Sequence, residues 1–172
     1  MELVSPMVRT ALFVSDIDRS VAFYKEVLGL EDVYAEGDLV HATAAKLLGM
    51  PRGTNIRFKI LRARGLNKGM VGLFQLKDPA PPYIIKRRDG CSIGEACLVF
   101  YCANLDRVHD QLVAGKYNVV CPPLRLEVEI KGGALSLKET SIEGGNGFRE
   151  MTFHDPDGIL VNLIERDPAS DD

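Results

Sequence analysis

The sequence predicts an α+β protein built from two βαβββ modules, and three observations lead to this prediction. Short apolar segments with strand-like alternation surround two segments in which apolar residues recur at helical spacing. The motif FVSDIDR, which begins at Phe13, returns 88 residues later as YCANLDR, which begins at Tyr101. Residues 70–76 correspond in the same way to 157–163, 87 residues later. Because two separate elements share nearly the same spacing, we interpret the chain as a duplicated strand–helix–three-strand unit.

The elements of the first module follow from local patterns. Residues 8–14 form an apolar, β-rich run, and 15–18 interrupt it with residues that commonly start a helix. Apolar residues then recur at helical spacing from Asp18 to Leu28, and Gly29 is placed to end this helix. The other elements are predicted over three segments, a short helix at 39–48 and strands at 55–61 and 70–76.

A connector over residues 78–94 precedes the second module. It contains three prolines that remove backbone donors and disfavour a helix or a central strand. The predicted elements after it are a strand at 96–102, a helix at 104–114, a strand at 117–120, a hairpin at 125–130 and 134–142, and strands at 149–153 and 159–164. The predicted organisation is therefore a first module over 1–77, the connector, a second module over 95–166 and an acidic tail over 167–172.

Length and composition exclude several functional classes. The 172 residues suit one domain or two small modules that share a sheet, and an apolar share of 46% is ordinary for a globular protein. The formal net charge of −3 offers no field that would attract a polyanion. We interpret the one basic cluster, at 86–88, as a solvated turn. The sequence therefore predicts no nucleic-acid partner.

Cysteine usage and hydropathy favour a cytoplasmic protein. No segment approaches the roughly 20 apolar residues of a membrane span. The N-terminal residues lack the basic start and apolar core of a signal peptide. The four cysteines form no CxxC pair, so free thiols in a reducing compartment are the simpler interpretation, while the spacing alone leaves a disulfide open. We expect no membrane partner.

Two motifs at opposite ends of the chain resemble those of one protein family. The chain opens with RTALFVSDIDRSVAFYKEVLGLE and closes with FHDPDGILVNLIE, whose DPDG turn leads into the last strand. Both resemble the motifs of the vicinal oxygen chelate superfamily, also called the glyoxalase/bleomycin-resistance/dioxygenase family. Together with the duplication, the resemblance covers nearly the whole chain. It implies two βαβββ modules whose mixed sheet curls into a cleft, and members often dimerise.

The resemblance also implies where the usual metal ligands of the family would lie. Their positions fall on Arg9, Gln75, Cys97 and Asn162. A guanidinium has no lone pair to donate, neutral amides are weak ligands for transition metals, and one thiol would not hold an ion. The sequence therefore predicts that the usual metal site is absent and that no cofactor is bound, with a divalent metal held by other residues as the open alternative. This departure argues against the metal-dependent glyoxalase, isomerase and dioxygenase activities.

The same positions suit contacts with an organic ligand. If the fold is that of the family, strand alternation turns them into the cleft, where a few polar groups on apolar walls are typical of a small-molecule site. Arg9 suits a carboxylate or phenolate, and the alternative is that it pairs with a core carboxylate. The predicted ligand-binding residues are Arg9, Phe13, Gln75, Cys97, Tyr101 and Asn162.

Three residues are candidates for proton transfer or nucleophilic attack. His41 starts the predicted short helix, a segment that could cover the cleft, and histidine titrates near neutrality. Cys97 would be a nucleophile if Arg9 lowered its pKa, and is otherwise a small buried apolar residue. Glu150 is either a carboxylate base or one partner of a surface ion pair.

Three functional hypotheses result. The first is a metal-independent protein, similar to the bleomycin-resistance branch, that binds a small, partly apolar organic molecule. The second is a lyase or isomerase that uses acid–base chemistry on a carbonyl or aromatic substrate. The third is a metal-dependent glyoxalase or dioxygenase. The amphipathic hairpin 125–142, whose apolar side would extend the core or meet a second subunit, favours a homodimer.

Overall fold

The computed structural model divides the chain into two units, Met1–Ile85 and Lys86–Asp172, each with its own sheet and helix. It describes residues 5–39, 42–85, 87, 89–131, 134–140 and 147–166. One sheet has 4 strands and the other 5, and both mix parallel and antiparallel pairs. The predicted α+β class is therefore confirmed.

The first unit contains four strands in the order β1-β4-β3-β2. Its elements are β1 (Arg9–Phe13), α1 (Ile17–Glu26), β2 (Asp32–Leu39), α2 (Ala42–Leu47), β3 (Asn55–Arg62) and β4 (Met70–Lys77). β1 pairs with β4 in parallel, while β3 pairs antiparallel with both β4 and β2. β1 therefore runs in the same direction as β4 and forms one edge of this sheet, and β2 forms the other.

The local sequence explains the position of α1. The Asp16 side chain accepts hydrogen bonds from the backbone N–H groups of Asp18 and Arg19, both at 3.0 Å, and so caps the first turn. One side of the helix is apolar and buried against the sheet. Beneath it, Leu12 of β1 and Leu73 of β4 are paired and buried. The core of the first unit therefore lies between α1 and one face of the sheet.

The second unit repeats this plan with an additional strand, in the order β5-β9-β8-β6-β7. Its elements are β5 (Cys97–Cys102), α3 (Leu105–Ala114), β6 (Val119–Lys131), β7 (Ala134–Glu139), β8 (Gly147–His154) and β9 (Leu160–Glu165). Asn104 caps α3 by accepting from the backbone N–H of Arg107 at 2.9 Å. Leu105 and Leu112 bury the apolar side of α3.

The structure corrects two predicted elements. The segment 39–48 is not one helix, because Leu39 ends β2 and α2 begins only at Ala42. The predicted strands 117–120 and 125–130 belong to one strand, β6, whose register against β8 shifts twice between Val119 and Leu124. Two prolines occupy this interval, and a bulge accommodates residues that cannot donate to the ladder. The predicted tail 167–172 lies outside the described residues.

Two further features of the described chain bear on its chemistry. All four cysteines are free thiols. Among the described residues, no helix combines the length and the apolar composition that crossing a bilayer requires.

Candidate functional site

In the first unit, the face of the sheet opposite α1 carries an arginine, a glycine and three phenylalanines. The observed pairs place Phe13 of β1 and Phe58 of β3 on either side of Phe74 of β4. Because side chains alternate along a strand, Arg9 and Gly72 share their side of the sheet. We call this surface the ring face, defined by Arg9, Phe13, Phe58, Gly72 and Phe74.

The three rings form a continuous row across three neighbouring strands. The centroids of Phe13 and Phe74 lie 6.2 Å apart with planes tilted by 50°. The centroids of Phe58 and Phe74 lie 5.9 Å apart with planes only 19° from parallel. Both distances fall in the range of favourable aromatic pairs. Phe13 is 49% exposed, so the row is accessible at that end.

Gly72 lies between the arginine and the rings. A Cβ atom at this position would stand 2.9 Å from the Cε2 atom of Phe74 and 3.7 Å from the Cδ atom of Arg9. The Phe74 ring therefore occupies space that a side chain would need, and the arginine stem would lie at ordinary contact distance from it. The absence of a side chain at Gly72 brings an apolar surface and a cation next to each other.

The guanidinium of Arg9 has no carboxylate within ion-pair distance in the part of the chain that the structure describes. The residue is exposed. The other basic residues of this sheet differ, since Arg57 pairs with Asp18 at 2.8 Å and Lys59 pairs with Glu36 at 2.6 Å. The interpretation of Arg9 as the partner of a core carboxylate is therefore not supported within the described residues.

Gln75 lies on the opposite face, so the prediction that it shares a surface with Arg9 is wrong. It follows Phe74 directly and pairs with Arg57, whose side chain meets Asp18 of α1. Gln75 is buried, and its Nε2 donates to the backbone carbonyl of Ser15 just before α1. Its amide holds the β1–α1 connection. The motif spacing of 87 residues aligned Gln75 with Asn162, whereas the observed pairs align Met70 with Leu160, 90 residues apart, and so Gly72 with Asn162.

In the second unit, the face of the sheet opposite α3 is more polar. Asn162 of β9 pairs with Val99 of β5 and with Thr152 of β8, so these three side chains lie on the same side of the sheet. Because side chains alternate along a strand, the residues two positions away in each strand lie on that side as well. We call this surface the amide face. It is defined by Cys97, Tyr101, Glu150, Thr152 and Asn162.

Asn162 ties the amide face together. Its Nδ2 donates to Oε2 of Glu150 at 3.0 Å, to Oγ1 of Thr152 at 3.3 Å and to the backbone carbonyl of Met151 at 3.4 Å. These contacts all reach the neighbouring strand β8. The amide thus orients the Glu150 carboxylate. Among the described residues Glu150 forms no ion pair, and its role as a carboxylate base stays a prediction.

The environment of Cys97 keeps its thiol protonated. Although the residue is exposed, partial desolvation of its sulfur raises the pKa above the ordinary value, and the backbone of Asn162 opposes this only in part. The negative charges of Glu95 and Glu150 raise the pKa of Cys97 further. A nucleophilic cysteine requires the opposite shift.

Tyr101 is half-exposed and is held by an arginine. The guanidinium carbon of Arg166 lies 5.0 Å from the ring centroid, and its Nη1 donates to the Tyr101 hydroxyl at 3.4 Å. The ring therefore presents one face to Arg166.

His41, the candidate for proton transfer, lies outside the described residues.

The residues at the predicted ligand positions do not fit a divalent metal. Arg9 offers no lone pair, and Gln75 lies on the other face of its sheet. Asn162 uses its nitrogen on β8, which leaves Cys97 as the one strong donor type among the four. Across the described ranges, no group of three or more histidine, cysteine, aspartate or glutamate side chains comes together.

The sequence did not single out three members of the ring face, namely Phe58, Gly72 and Phe74. The alternation within each strand shows which residues share a side. It does not show which side of one strand continues which side of the next. The signal available in the sequence was that the segments forming β1, β3 and β4 each contain a phenylalanine, and these three residues pair across the sheet.

Comparison with known proteins identifies relatives of the whole chain. The sequence profile of the Glyoxalase/Bleomycin resistance protein/Dioxygenase superfamily matches residues 7–163. No curated protein matches the sequence.

Solved structures share the fold. A glyoxalase family protein from Bacillus cereus is similar at a TM-score of 0.67 and 16% identity, over 95% of both chains. The trypanothione-dependent glyoxalase I of Leishmania major is similar at 0.55 and 15%, over 94% of this chain and 87% of its own. TnmS3, an antibiotic binding protein from Streptomyces, is similar at 0.51 and 18%, over 97% of this chain and 100% of its own. At these identities the likeness establishes the fold alone.

Proposed function

Because the chain belongs to the glyoxalase/bleomycin resistance protein/dioxygenase superfamily, we propose that it binds a small, partly apolar organic molecule without the help of a metal. The observation that carries this proposal is the ring face, where three phenyl rings in contact lie beside Arg9. A mostly apolar surface with a few polar groups is the usual composition of a small-molecule site.

Two arguments support binding in preference to catalysis. The ring face contains no titratable group other than arginine, which holds its proton at every physiological pH. Phe13 is also exposed while Phe58 and Phe74 are half-buried, so a ligand that covers the row is stabilised by burial of apolar area. One structural neighbour, TnmS3, is an antibiotic binding protein, which is consistent with a binding role for this fold.

We treat the amide face of the second unit as a ligand surface in its own right, described apart from the ring face. We include Cys97, Tyr101 and Asn162 as ligand contacts, because their side chains share one surface with half-exposed apolar neighbours. Gln75 is left out, because its amide is committed to Ser15. The Arg9 and Phe13 contacts are kept.

A thermal-shift screen with aromatic small molecules tests the proposal. Compounds that bind the folded protein raise its melting temperature. We expect the response to fall in Phe74→Leu, which removes the central ring of the row, and to persist in Phe148→Leu, a matched change in the second unit. An equal response of both variants to every compound would place the ligand elsewhere.

An acid–base enzyme is the second candidate, and the orientation of Glu150 by Asn162 is the observation that favours it. A held carboxylate can take a proton from a substrate carbon or hydroxyl. Cys97 contributes less to this candidate, because its raised pKa leaves little thiolate at neutral pH. A lyase or isomerase turnover that disappears in Glu150→Gln, with ligand affinity retained, would replace the binding function.

The proposal includes a homodimer in the cytoplasm. Leu126, Val128 and Leu137 lie on one side of the β6–β7 hairpin, and Leu137 is 51% exposed. Burying such a side against a second copy would protect an apolar edge. Sedimentation should give a dimer that Leu137→Lys dissociates, and a monomeric wild-type protein would refute this part. Four free thiols suit a reducing compartment.

A further inference from the structure

The ring face has a geometry that suits a planar ligand. Phe58 and Phe74 are within 19° of parallel, and Phe13 is tilted by 50° at the exposed end of the row. A flat ring system laid along the row can contact one phenyl ring in an offset stack and meet another at its edge. A branched aliphatic molecule of the same area would lose both of these contacts.

The charge on this face is unbalanced. Two described arginines lie on this side of the sheet, Arg9 within the ring face and Arg62 further along β3, four residues after Phe58. Arg62 is engaged, since its Nε lies 3.9 Å from Asp32, its Nη1 donates to Asn67 and its guanidinium lies 5.3 Å from the Tyr34 ring centroid. Arg9 has no such partners among the described residues. A ligand on this face therefore meets one uncompensated cation.

The cation and the rings are adjacent because of Gly72. The Cδ atom of Arg9 and the Cε2 atom of Phe74 both lie within 4 Å of the point where a Cβ atom would stand. Because the stem of Arg9 runs beside the central ring, an anionic group attached directly to a ring stacked on Phe74 lies within reach of the guanidinium. The guanidinium plane can also bind a carboxylate through two parallel hydrogen bonds.

We infer that the ring face selects a planar aromatic anion, an aryl carboxylate or phenolate, with the ring on Phe13, Phe74 and Phe58 and the anion on Arg9. The inference rests on the proposed function and names its ligand class. Charge complementarity decides the sign of the ligand, and the row of rings decides its shape.

Calorimetric titration with three matched probes tests this inference. The probes are 2-naphthoate, 2-naphthalenemethanol and 2-naphthylmethylammonium, which share a ring system and differ in charge. We expect 2-naphthoate to bind at least tenfold more tightly than the alcohol, and the ammonium compound to bind most weakly. In Arg9→Gln the affinity for 2-naphthoate should fall about tenfold, because a hydrogen-bonded charge partner is lost, and the affinity for the alcohol should not change.

Two further variants sharpen the result. Arg9→Lys keeps the charge but loses the planar fork, so its affinity for 2-naphthoate should lie between those of the wild type and Arg9→Gln. Arg19→Gln removes the same charge from α1, on the other side of the sheet, and should leave all three affinities unchanged. A loss of affinity in Arg19→Gln equal to that in Arg9→Gln would mean that net charge alone is at work and would overturn the inference.

The outcomes separate this inference from the function it rests on. If 2-naphthoate and the alcohol bind equally and Arg9→Gln changes neither, the anion preference is wrong while aromatic binding stands. If no probe binds and the aromatic screen is also negative, the proposed function fails as well. If Arg9→Gln and Phe74→Leu instead shift the sedimenting mass, a second copy of the chain covers the ring face, and the inference is overturned.

Discussion

Asp18 in α1 and Asp106 in α3 stand 88 residues apart, and each forms an ion pair with an arginine of its own sheet. The distances are 2.8 Å to Arg57 and 2.6 Å to Arg149. Asp16 and Asn104, also 88 residues apart, cap the two helices. The helix side of each sheet has therefore kept the same polar contacts although few residues are identical.

The opposite faces have diverged. Arg9 of β1 and Cys97 of β5 occupy equivalent positions in the two sheets. Gly72 and Asn162 are equivalent as well, because each lies two residues after the residue that pairs with Arg9 or with Cys97. One pair presents a cation beside a bare backbone, and the other presents a thiol beside an amide. This contrast teaches that helix packing restrains one side of each sheet, whereas the other side is free to acquire a ligand-specific surface. The following predictions test that division.

Equivalent core leucines should contribute equally to stability. Leu73 and Leu163 are at most 2% exposed and lie on the helix sides of their sheets. We expect Leu73→Ala and Leu163→Ala each to lower the free energy of unfolding by about 2–5 kcal/mol, through lost burial and a cavity. Urea denaturation measures this, with Leu66→Ala as an exposed control that should change it by less than about 0.5 kcal/mol. A large loss in one unit only would contradict the equivalence.

Equivalent positions on the opposite faces should behave differently. Gly72→Ala should displace the Phe74 ring, lowering the affinity for 2-naphthoate several-fold and the stability by about 1 kcal/mol. Asn162→Ala should lower stability by a similar ~1 kcal/mol, because Glu150 loses a hydrogen bond, and should leave that affinity unchanged. Calorimetry and urea denaturation separate the two effects. Equal loss of affinity in both variants would mean that the faces share one function.

The sequence alone was sufficient to predict the helix that covers one side of the sheet in each unit. Helix starts, glycine stops and apolar periodicity are local signals, and they predicted both long helices to within a few residues. The chain between Val119 and Leu124 was left out of the predicted strands, whereas bulges carry β6 through its two prolines. The local sequence does not show how pairing with a neighbouring strand accommodates a bulge.

The candidate site was only partly predictable. Arg9 was identified from a family motif position and Phe13 from strand alternation, but Gln75 was assigned to the wrong face. The parallel register of β1 against β4 sets Gly72 beside Arg9, and that register depends on packing across the sheet. Phe74 joins the site for the same reason, since its two ring neighbours come from different strands.

The two helix caps occupy equivalent positions but should differ in how much each stabilises the fold. Asp16 accepts from two backbone N–H groups, whereas Asn104 accepts from one, that of Arg107. We expect Asn104→Ala to lower the free energy of unfolding by about 1 kcal/mol and Asp16→Ala to lower it somewhat more. Asp16→Asn keeps an acceptor and should lose less than the alanine variant. If the two alanine variants are equal, the second bond to Asp16 adds nothing.

The ion pairs should give the smallest effect, visible in its dependence on pH. The hydrogen bond from Arg149 holds the pKa of Asp106 below its ordinary value. The unfolded chain therefore takes up this proton first as the pH falls, so the pair stabilises the fold above the ordinary pKa and ceases to do so as the pH drops through the lowered pKa. Both carboxylates are exposed, and solvent screens them.

Substitution of the two arginines should therefore reveal which pair is stronger. Arg149→Gln should destabilise the protein at about pH 6, above the ordinary pKa of an aspartate, and lose that effect as the pH falls through the lowered pKa of Asp106. Arg57→Gln should follow the same course with a smaller amplitude, because the Arg57 side chain is 48% exposed against 27% for Arg149, which also meets Glu165 at 3.4 Å. Urea denaturation across this pH range measures both. A destabilisation that does not change with pH would show that Arg149 acts through its packing and not through its charge.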